Sequence, residues 1–386
     1  MVSHMIKIVL VAGEPSGDLL GAQLMKALKK KEKRPLKFYG IGGALMEAEG
    51  LQSFCPLSDL SIMGFFENWK KILKVKKRLK ETGNSIVEIN PDVIITIDFP
   101  GFNFRLGRFL KKRLKDTPLI HYVAPTVWAW RKGRAKESSK FLDHFLALFP
   151  FEPIYFKKYK PITFVGHPVV EMGFDEGRAD RFQKKHDISK KETLLTLLPG
   201  SREGELKRHL PVFIDLVQIL KKRIPNLKIV MPTVPEVEAY LKKNWVSDVP
   251  TFFTTDYKDK IDAYAASQMA IAASGTVALE LSQAGLPMIV TYKVSAISAF
   301  IVRRLIQVRY FCMINILLRK KIVPELLQKD CTAQKLSFEA LKILRNPQKQ
   351  EQQKDAFKKV GNLLKPKEGL PSEKAAEVVQ GYLRLK

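Results

Sequence analysis

The sequence predicts an α/β protein of two doubly wound domains, and three observations carry that reading. Short β-branched runs end in turn chemistry, lysine-rich segments of helical period lie between them, and the alternation restarts near residue 190. A parallel sheet covered on both faces needs strands that are apolar along their whole length, and these runs read that way.

Ile6–Val11 is the first strand, and it runs into Ala12-Gly13-Glu14-Pro15-Ser16-Gly17-Asp18 before the helix-period stretch Leu19–Lys30, with Gly21 on its first turns. The glycines permit a tight turn and close backbone approach, and free N–H groups at a helix start attract anions. The loop is neither GxGxxG nor a P-loop, so a purely structural turn stands beside the anion-binding reading. Val93–Ile97 is the next strand, and Asp98 follows it, ahead of Phe99-Pro100-Gly101-Phe102-Asn103 and the helix-period stretch Phe104–Lys115. A carboxylate at the carboxyl end of a parallel strand points into the crevice where open α/β sheets bind ligands. That is the place for a general base; the plain alternative is a capping aspartate. Leu119–Val123 leads into a segment ending Trp128-Ala129-Trp130-Arg131. Two aromatics beside a cation either pack a domain edge or form a wall that stacks on a sugar or guards a phosphate. His121 and His167 read as structural, and Gly166-His167-Pro168 as a turn at the domain boundary.

In the second half Leu194–Leu198 ends in Pro199-Gly200-Ser201-Arg202, where an arginine past a glycine turn can reach a diphosphate with a bidentate fork. Leu227–Met231 and Met288–Tyr292 are further strands. Between them Ser274, Gly275 and Thr276 open a helix-period stretch that carries Glu280 one turn deeper on the same face, suited to two ribose hydroxyls. Phosphate loop, arginine and carboxylate together describe half of a nucleotide-diphosphate site. There is no Asp-x-Asp pair, no HExxH and no His/Cys cluster, so the expectation is charge neutralisation by Arg202 and helix dipoles, with no metal and no cofactor.

Composition bounds the partners. The 386 residues carry Lys+Arg 66 against Asp+Glu 39, a net charge of +27, with 46% hydrophobic content. That apolar content excludes global disorder. The charge predicts an anionic partner: nucleic acid, a phosphorylated small molecule or an acidic membrane. Three scattered cysteines indicate a reducing compartment, and neither a signal peptide nor a membrane-spanning stretch is expected. The expected domains are residues 1–168 and 169–345. A helix-period tail, 346–386, has two destinations open, the first domain or a partner subunit.

In chain order AGEPSGDLLG (Ala12–Gly21), SIMGFFE (Ser61–Glu67), DFPGFN (Asp98–Asn103), YVAPTVWAWR (Tyr122–Arg131), FPFE (Phe149–Glu152), GHP (Gly166–Pro168), LLPGSR (Leu197–Arg202), SGTVALE (Ser274–Glu280) and NILLRKKIVPELLQ (Asn315–Gln328) occur. Together they resemble the lipid-A-disaccharide synthase family of glycosyltransferases. The chain departs from the family pattern at Ile314 and Leu318–Lys320, where the family carries proline and Ala-Gly-Arg. The resemblance implies a GT-B fold, two Rossmann-like domains facing each other across a cleft, and an inverting, metal-independent transfer. The donor is UDP-2,3-diacylglucosamine, the acceptor 2,3-diacylglucosamine 1-phosphate, and the products a β(1→6) disaccharide 1-phosphate and UDP. Asp98 is the implied base. Ser201, Arg202, Ser274, Gly275, Thr276, Glu280 and Asn315 fall on the donor side; Glu14, Ser16, Gly17, Asp18, Asn103, Trp128 and Arg131 fall on the acceptor side. Acylated substrates imply work at the cytoplasmic face of the inner membrane, and oligomeric state is left open.

For that contact the candidate is the stretch holding Phe65, Phe66, Trp69, Ile72, Leu73 and Leu79 near one helical stripe, flanked by Lys70, Lys71 and Lys74. A second is Phe300–Phe311. An ordinary surface helix has the same pattern, and that alternative stands. Rival functions are another UDP-sugar enzyme of this fold, such as a peptidoglycan-precursor N-acetylglucosaminyltransferase or a UDP-sugar 2-epimerase, and a basic nucleic-acid binder. Against the last, no nucleic-acid module is recognisable.

Overall fold

The computed structural model describes residues 5–61, 69–273, 277–294 and 308–384, with the backbone alone described at 61 and 69–73. The chain divides into two compact units, one of residues up to Pro168 together with those from Leu364 onward, the other Val169–Leu363.

The first unit holds a parallel sheet of β1 (Ile6–Ala12), β2 (Leu36–Ile41), β3 (Leu51–Ser53), β4 (Val93–Ile97), β5 (Leu119–Tyr122), β6 (His144–Ala147) and β7 (Ile162–Phe164), in the order β3-β2-β1-β4-β5-β6-β7. Every residue of β4 is buried, as a strand covered on both faces must be. The order reverses between β1 and β4. At such a switch point the loops leaving the carboxyl ends diverge and open a crevice. Helix Pro15–Lys31 starts with proline in its first turn, and Lys29, Lys30 and Lys31 in its last turn complement its dipole. Its buried residues include Leu20, Leu24 and Leu28.

The second unit repeats the plan with β8 (Thr193–Leu198), β9 (Leu227–Pro232), β10 (Thr251–Thr254), β11 (Met269–Ala273), β12 (Met288–Tyr292) and β13 (Glu325–Leu327), in the order β10-β9-β8-β11-β12-β13. Its switch point lies between β8 and β11. Leu195, Leu197, Phe213, Leu216, Ile229, Ile271 and Leu336 form the centre of its main core.

The stretch expected as one tail, residues 346–386, splits. Most of helix Pro347–Leu364 belongs to the second unit, where Gln353 pairs with both backbone groups of Met288, accepting from its N–H at 2.7 Å and donating to its carbonyl at 3.1 Å. The chain returns to the first unit at Leu364, whose carbonyl accepts from His167 N at 2.9 Å. Helix Pro371–Arg384 then packs on Pro15–Lys31, with Lys30 to Glu373 at 2.9 Å, Lys31 to Glu377 at 2.7 Å, and Tyr382 Oη 3.1 Å from His144 Nδ1.

Of the expected membrane residues, Phe65 and Phe66 lie outside the described residues, as do the side chains of Trp69, Lys70, Lys71, Ile72 and Leu73 and most of Phe300–Phe311. Further along helix Trp69–Ile89, Val75, Leu79 and Ile86 pack into the first unit's core while Lys74, Lys76, Lys77 and Lys80 are exposed. Leu79 is therefore spent on the core. Among the described residues no helix is long and apolar enough to cross a membrane.

Candidate functional site

In the first unit the turn after β4 is built from two consecutive residues in the left-handed region, Asp98 (φ 46) and Phe99 (φ 48). Non-glycine residues pay for that conformation, so something must hold them. Asp98 N donates to Tyr122 O at 2.8 Å. Asn103 Nδ2 donates to Asp98 O at 2.7 Å and Ile97 O at 3.2 Å, and reaches Val11 O at 3.4 Å, tying the ends of β1 and β4 together. A side chain on Gly13 would run into the Phe99 ring, which explains a glycine there. Asp98 is half-buried, and desolvation, then the Glu14 carboxylate, raise its pKa against a backbone hydrogen bond that lowers it. A carboxylate that resists ionisation is a better proton acceptor once ionised.

The other residues expected on the acceptor side divide. Glu14 is half-exposed and near enough to act on Asp98; Ser16 is exposed. Gly17 is buried, with Ala12 Cβ 3.2 Å from where a side chain would begin, so its smallness serves helix–strand packing. Three residues are corrected from ligand contacts to structural parts. Asp18 is 5% exposed and accepts from Gly43, Leu45 and Met46 backbone N–H groups at 2.7, 3.1 and 3.0 Å, fixing the Gly42-Gly43 turn. Asn103 is fully buried and pins the Asp98 turn. Trp128 packs edge-on against Phe149 and Phe151 and donates its indole N–H to Glu152 at 3.2 Å. Glu152 also accepts from Leu148 and Phe149 N–H at 3.0 Å each, while burial pushes its carboxyl up to about 7. Arg131 is exposed, at φ 51.

In the second unit a cavity of about 360 Å³ opens at the carboxyl edge, lined by Gly200, Ser201, Arg202 and Glu205 after β8, Thr233 and Val234 after β9, Lys260 and Tyr264 from helix Tyr257–Ala266, and Glu280 from helix Val277–Gln283. Gly200 sits at φ 127, and Glu205 Oε2 accepts from Ser201 N at 3.0 Å to close that turn. This carboxylate occupies the backbone N–H of Ser201, one of the residues expected on the donor side. Arg202 takes the N-cap position of helix Glu203–Lys221, exposed and with no hydrogen bond or ion pair to its guanidinium among the described residues. His209 accepts from Lys293 N at 3.0 Å through Nε2 and sits 2.8 Å from Pro199 O through Nδ1, so the β8 turn is braced from behind. Glu280 Oε2 accepts from Lys260 Nζ at 2.9 Å and Tyr264 Oη at 3.5 Å. Lys260 in turn lies 5.2 Å from the Phe174 ring centroid and 5.4 Å from that of Tyr257.

Lys260 and Tyr264 escaped sequence reasoning. One lysine among 66 basic residues carries no local signal. Ser274, Gly275 and Thr276 lie outside the described residues, between Ala273 and Val277 of the cavity wall. Asn315 is corrected: its Nδ2 donates to Val323 O and Glu325 Oε1, both at 2.8 Å, and its Oδ1 accepts from Ile322 N at 2.8 Å and Val323 N at 3.0 Å. Every hydrogen-bonding position of the amide that matters is spent closing the 315–325 loop.

Two parallel α/β units, each with a switch point in its strand order, give the GT-B fold shared by glycosyltransferases and epimerases. A family model described as lipid-A-disaccharide synthetase matches residues 8–379. The chain belongs to the lipid-A-disaccharide synthase family, whose members are glycosyltransferase enzymes. It is 46% identical over 376 residues to a lipid-A-disaccharide synthase of Rhodospirillum centenum, covering 96% of this chain and 93% of that one. Among solved structures it resembles a UDP-GlcNAc 2-epimerase from Neisseria meningitidis bound to UDP-GlcNAc, with TM-score 0.64, 11% identity, and coverage of 99% and 100%. It also resembles MurG of Acinetobacter baumannii, with TM-score 0.58, 13% identity, and coverage of 98% and 100%.

Proposed function

We propose that the chain transfers a diacylated glucosamine from UDP-2,3-diacylglucosamine to the 6-hydroxyl of 2,3-diacylglucosamine 1-phosphate. Asp98 removes the hydroxyl proton as its oxygen attacks the anomeric carbon from the face opposite the diphosphate. The bond from that carbon to the diphosphate oxygen breaks, the electron pair leaves with UDP, and inversion gives the β(1→6) linkage. Arg202 meets the charge that develops on the leaving group and Glu280 takes the ribose. The observation that carries this reading is the second unit's cavity, where an exposed arginine at a glycine turn, Lys260 and Glu280 converge. The resemblance to a protein solved with UDP-GlcNAc supports a UDP-sugar in that place. Arg202 and Lys260 supply the positive charge, so no metal is invoked.

The test is incubation with the donor and the lipid acceptor, following UDP. Release that needs both lipids is expected; release from donor alone, or conversion of the donor to an epimer, would sink the reading. We place the enzyme against the anionic inner face of a membrane, with the exposed Lys74, Lys76, Lys77 and Lys80 as the attracting group. Vesicles containing anionic lipid should sediment it at low salt, and a protein left wholly in the supernatant removes this placement.

A further inference from the structure

The turn after β5 carries positive charge that nothing described in the first unit neutralises. Trp130 is half-buried, and its indole N–H is held by Thr126 Oγ1 at 3.2 Å. Two guanidiniums lie against this one ring, Arg131 Cζ at 4.5 Å and Arg134 Cζ at 5.2 Å from its centroid. A tight turn brings them there: Arg131 takes the left-handed conformation at φ 51, and its carbonyl accepts from Arg134 N at 2.9 Å. Stacking on an aromatic face orders a guanidinium before any ligand arrives.

Several other arginines of the molecule face carboxylates, as Arg34 does Glu32, Arg178 does Asp180 and Arg181 does Asp262. Neither Arg131 nor Arg134 forms an ion pair among the described residues. The carboxylate that acts on Arg134, that of Glu137, is already bonded by Arg108. Burial, and then Arg131, lower the pKa of Arg134. Two ordered, crowded, uncompensated forks are an incomplete structure, and a tetrahedral dianion completes it.

Their position fixes which anion. β5 lies beside β4 with Tyr122 opposite Ile97, so the turn after β5 leaves the same edge of the sheet as Asp98. We propose that Arg131 and Arg134, ordered by Trp130, bind the phosphate monoester of the acceptor sugar. This rests on the reading that Asp98 deprotonates that sugar. The forks grip the phosphate oxygens in bidentate fashion while the hydroxyl end of the same sugar reaches Asp98, and an unphosphorylated sugar leaves both cations unmatched. The pair thereby sets acceptor specificity rather than catalysing the transfer.

The test compares detergent-dispersed diacylglucosamine 1-phosphate with its dephosphorylated counterpart as ligands of the full chain, by equilibrium binding, for wild type, Arg131→Gln and Arg134→Gln. Wild type should prefer the phosphorylated lipid by about a hundredfold, and each variant should lose about tenfold of that preference, the worth of one charge-assisted contact. Affinity for the dephosphorylated lipid should not move. Arg131 is exposed, so its variant keeps the fold even if Arg134→Gln does not. Equal wild-type affinity for both lipids, or a preference undiminished in Arg131→Gln, overturns the assignment. Adding the donor to the same wild-type mixtures and following UDP tests the transfer reading separately, because absent turnover leaves the binding comparison intact.

Discussion

The turns after β4 and β8 do the same job, sending the chain sharply away from a parallel sheet at its switch point, and they do it with different materials. After β8 the residue of positive φ is Gly200, which meets no Cβ penalty. After β4 the residues are Asp98 and Phe99, and after β5 the first unit adds Val123 at φ 76 and Arg131 at φ 51, all paying a steric cost of about 1 kcal/mol or more each. The charge differs as well: Asp98 crowds Glu14 in one unit, while Arg202 has no ion pair among the described residues of the other. On the function proposed above, a relaxed edge with an open arginine suits a diphosphate, and a strained, desolvated carboxylate suits the taking of a proton.

The largest expected effect breaks this contrast at its centre. Asp98→Asn should lower turnover by about 10²–10⁴, leave UDP affinity measured by calorimetry unchanged, and leave thermal stability equal or higher because a desolvated carboxylate beside Glu14 is gone. Near-normal turnover would remove Asp98 as the base. In the second unit Arg202→Ala should do the reverse, weakening UDP about tenfold through one lost charge-assisted contact.

Acid should separate the units next. Burial lowers His121 and His167 to about 3 and His144 to about 4, and His121 Nε2 is buried with no partner. Below the ordinary value of 6.5 the unfolded chain takes up protons that the folded first unit refuses. Each histidine therefore costs roughly 1.4 kcal/mol per pH unit as pH falls from 6.5 toward 4. Glu152, raised to about 7, opposes them, since the folded state gains its proton first. Asp98, also raised, opposes them in the same sense, and three histidines against two carboxylates leave a net loss. His186 and His209 of the second unit are lowered too, without shifts as deep. Amide protection in β5 and β6 should fall before that in β8 and β9 between pH 6.5 and 5; the opposite order would show that the first unit's histidines do not cost it stability in acid.

Asn103→Ala should destabilise the first unit by about 2–3 kcal/mol, since it strands the buried carbonyls of Ile97 and Asp98. It should also lower turnover, because the strained turn loses its brace. A stability loss with turnover intact would show that the turn holds itself. The smallest effect lies at Arg319, which caps helix Met313–Leu318 in the left-handed conformation at φ 52. Arg319→Gly should stabilise the second unit by about 0.5–1 kcal/mol in urea melts; a loss would mean that its side chain works elsewhere.

The sequence showed the strands rich in β-branched residues, and β4 and β12 begin and end where their apolar runs do. It did not show β2, β6, β10 or β11, the last of which, Met-Ala-Ile-Ala-Ala, has one β-branched residue, nor β3, β7 and β13, which are three residues long and take their order from neighbours. Helix Pro100–Lys111 begins four residues before the periodic stretch, because Pro100 opens it where the sequence reads as a strand stop. Of the expected site residues, Asp98, Arg202 and Glu280 lie in the local structure that the sequence predicts for them, at a strand end, past a glycine turn and on the first turn of a helix. At Asp18, Asn103, Trp128 and Asn315 the sequence left the partner open. A hydrogen-bonding side chain reads alike whether its partner is a ligand or another group of the protein. Only the geometry shows that Asn315 spends its amide on Val323, Ile322 and Glu325.

The docking of helix Pro371–Arg384 on Pro15–Lys31 also sets an order of events during synthesis. The first unit takes residues from both sides of the second, so it cannot be completed until the segment from Leu364 to Arg384 has been made, after every residue of Val169–Leu363. The second unit is thus the earlier one to have all its parts synthesised, and the face of Pro15–Lys31 that helix Pro371–Arg384 covers stays bare until that helix has been made.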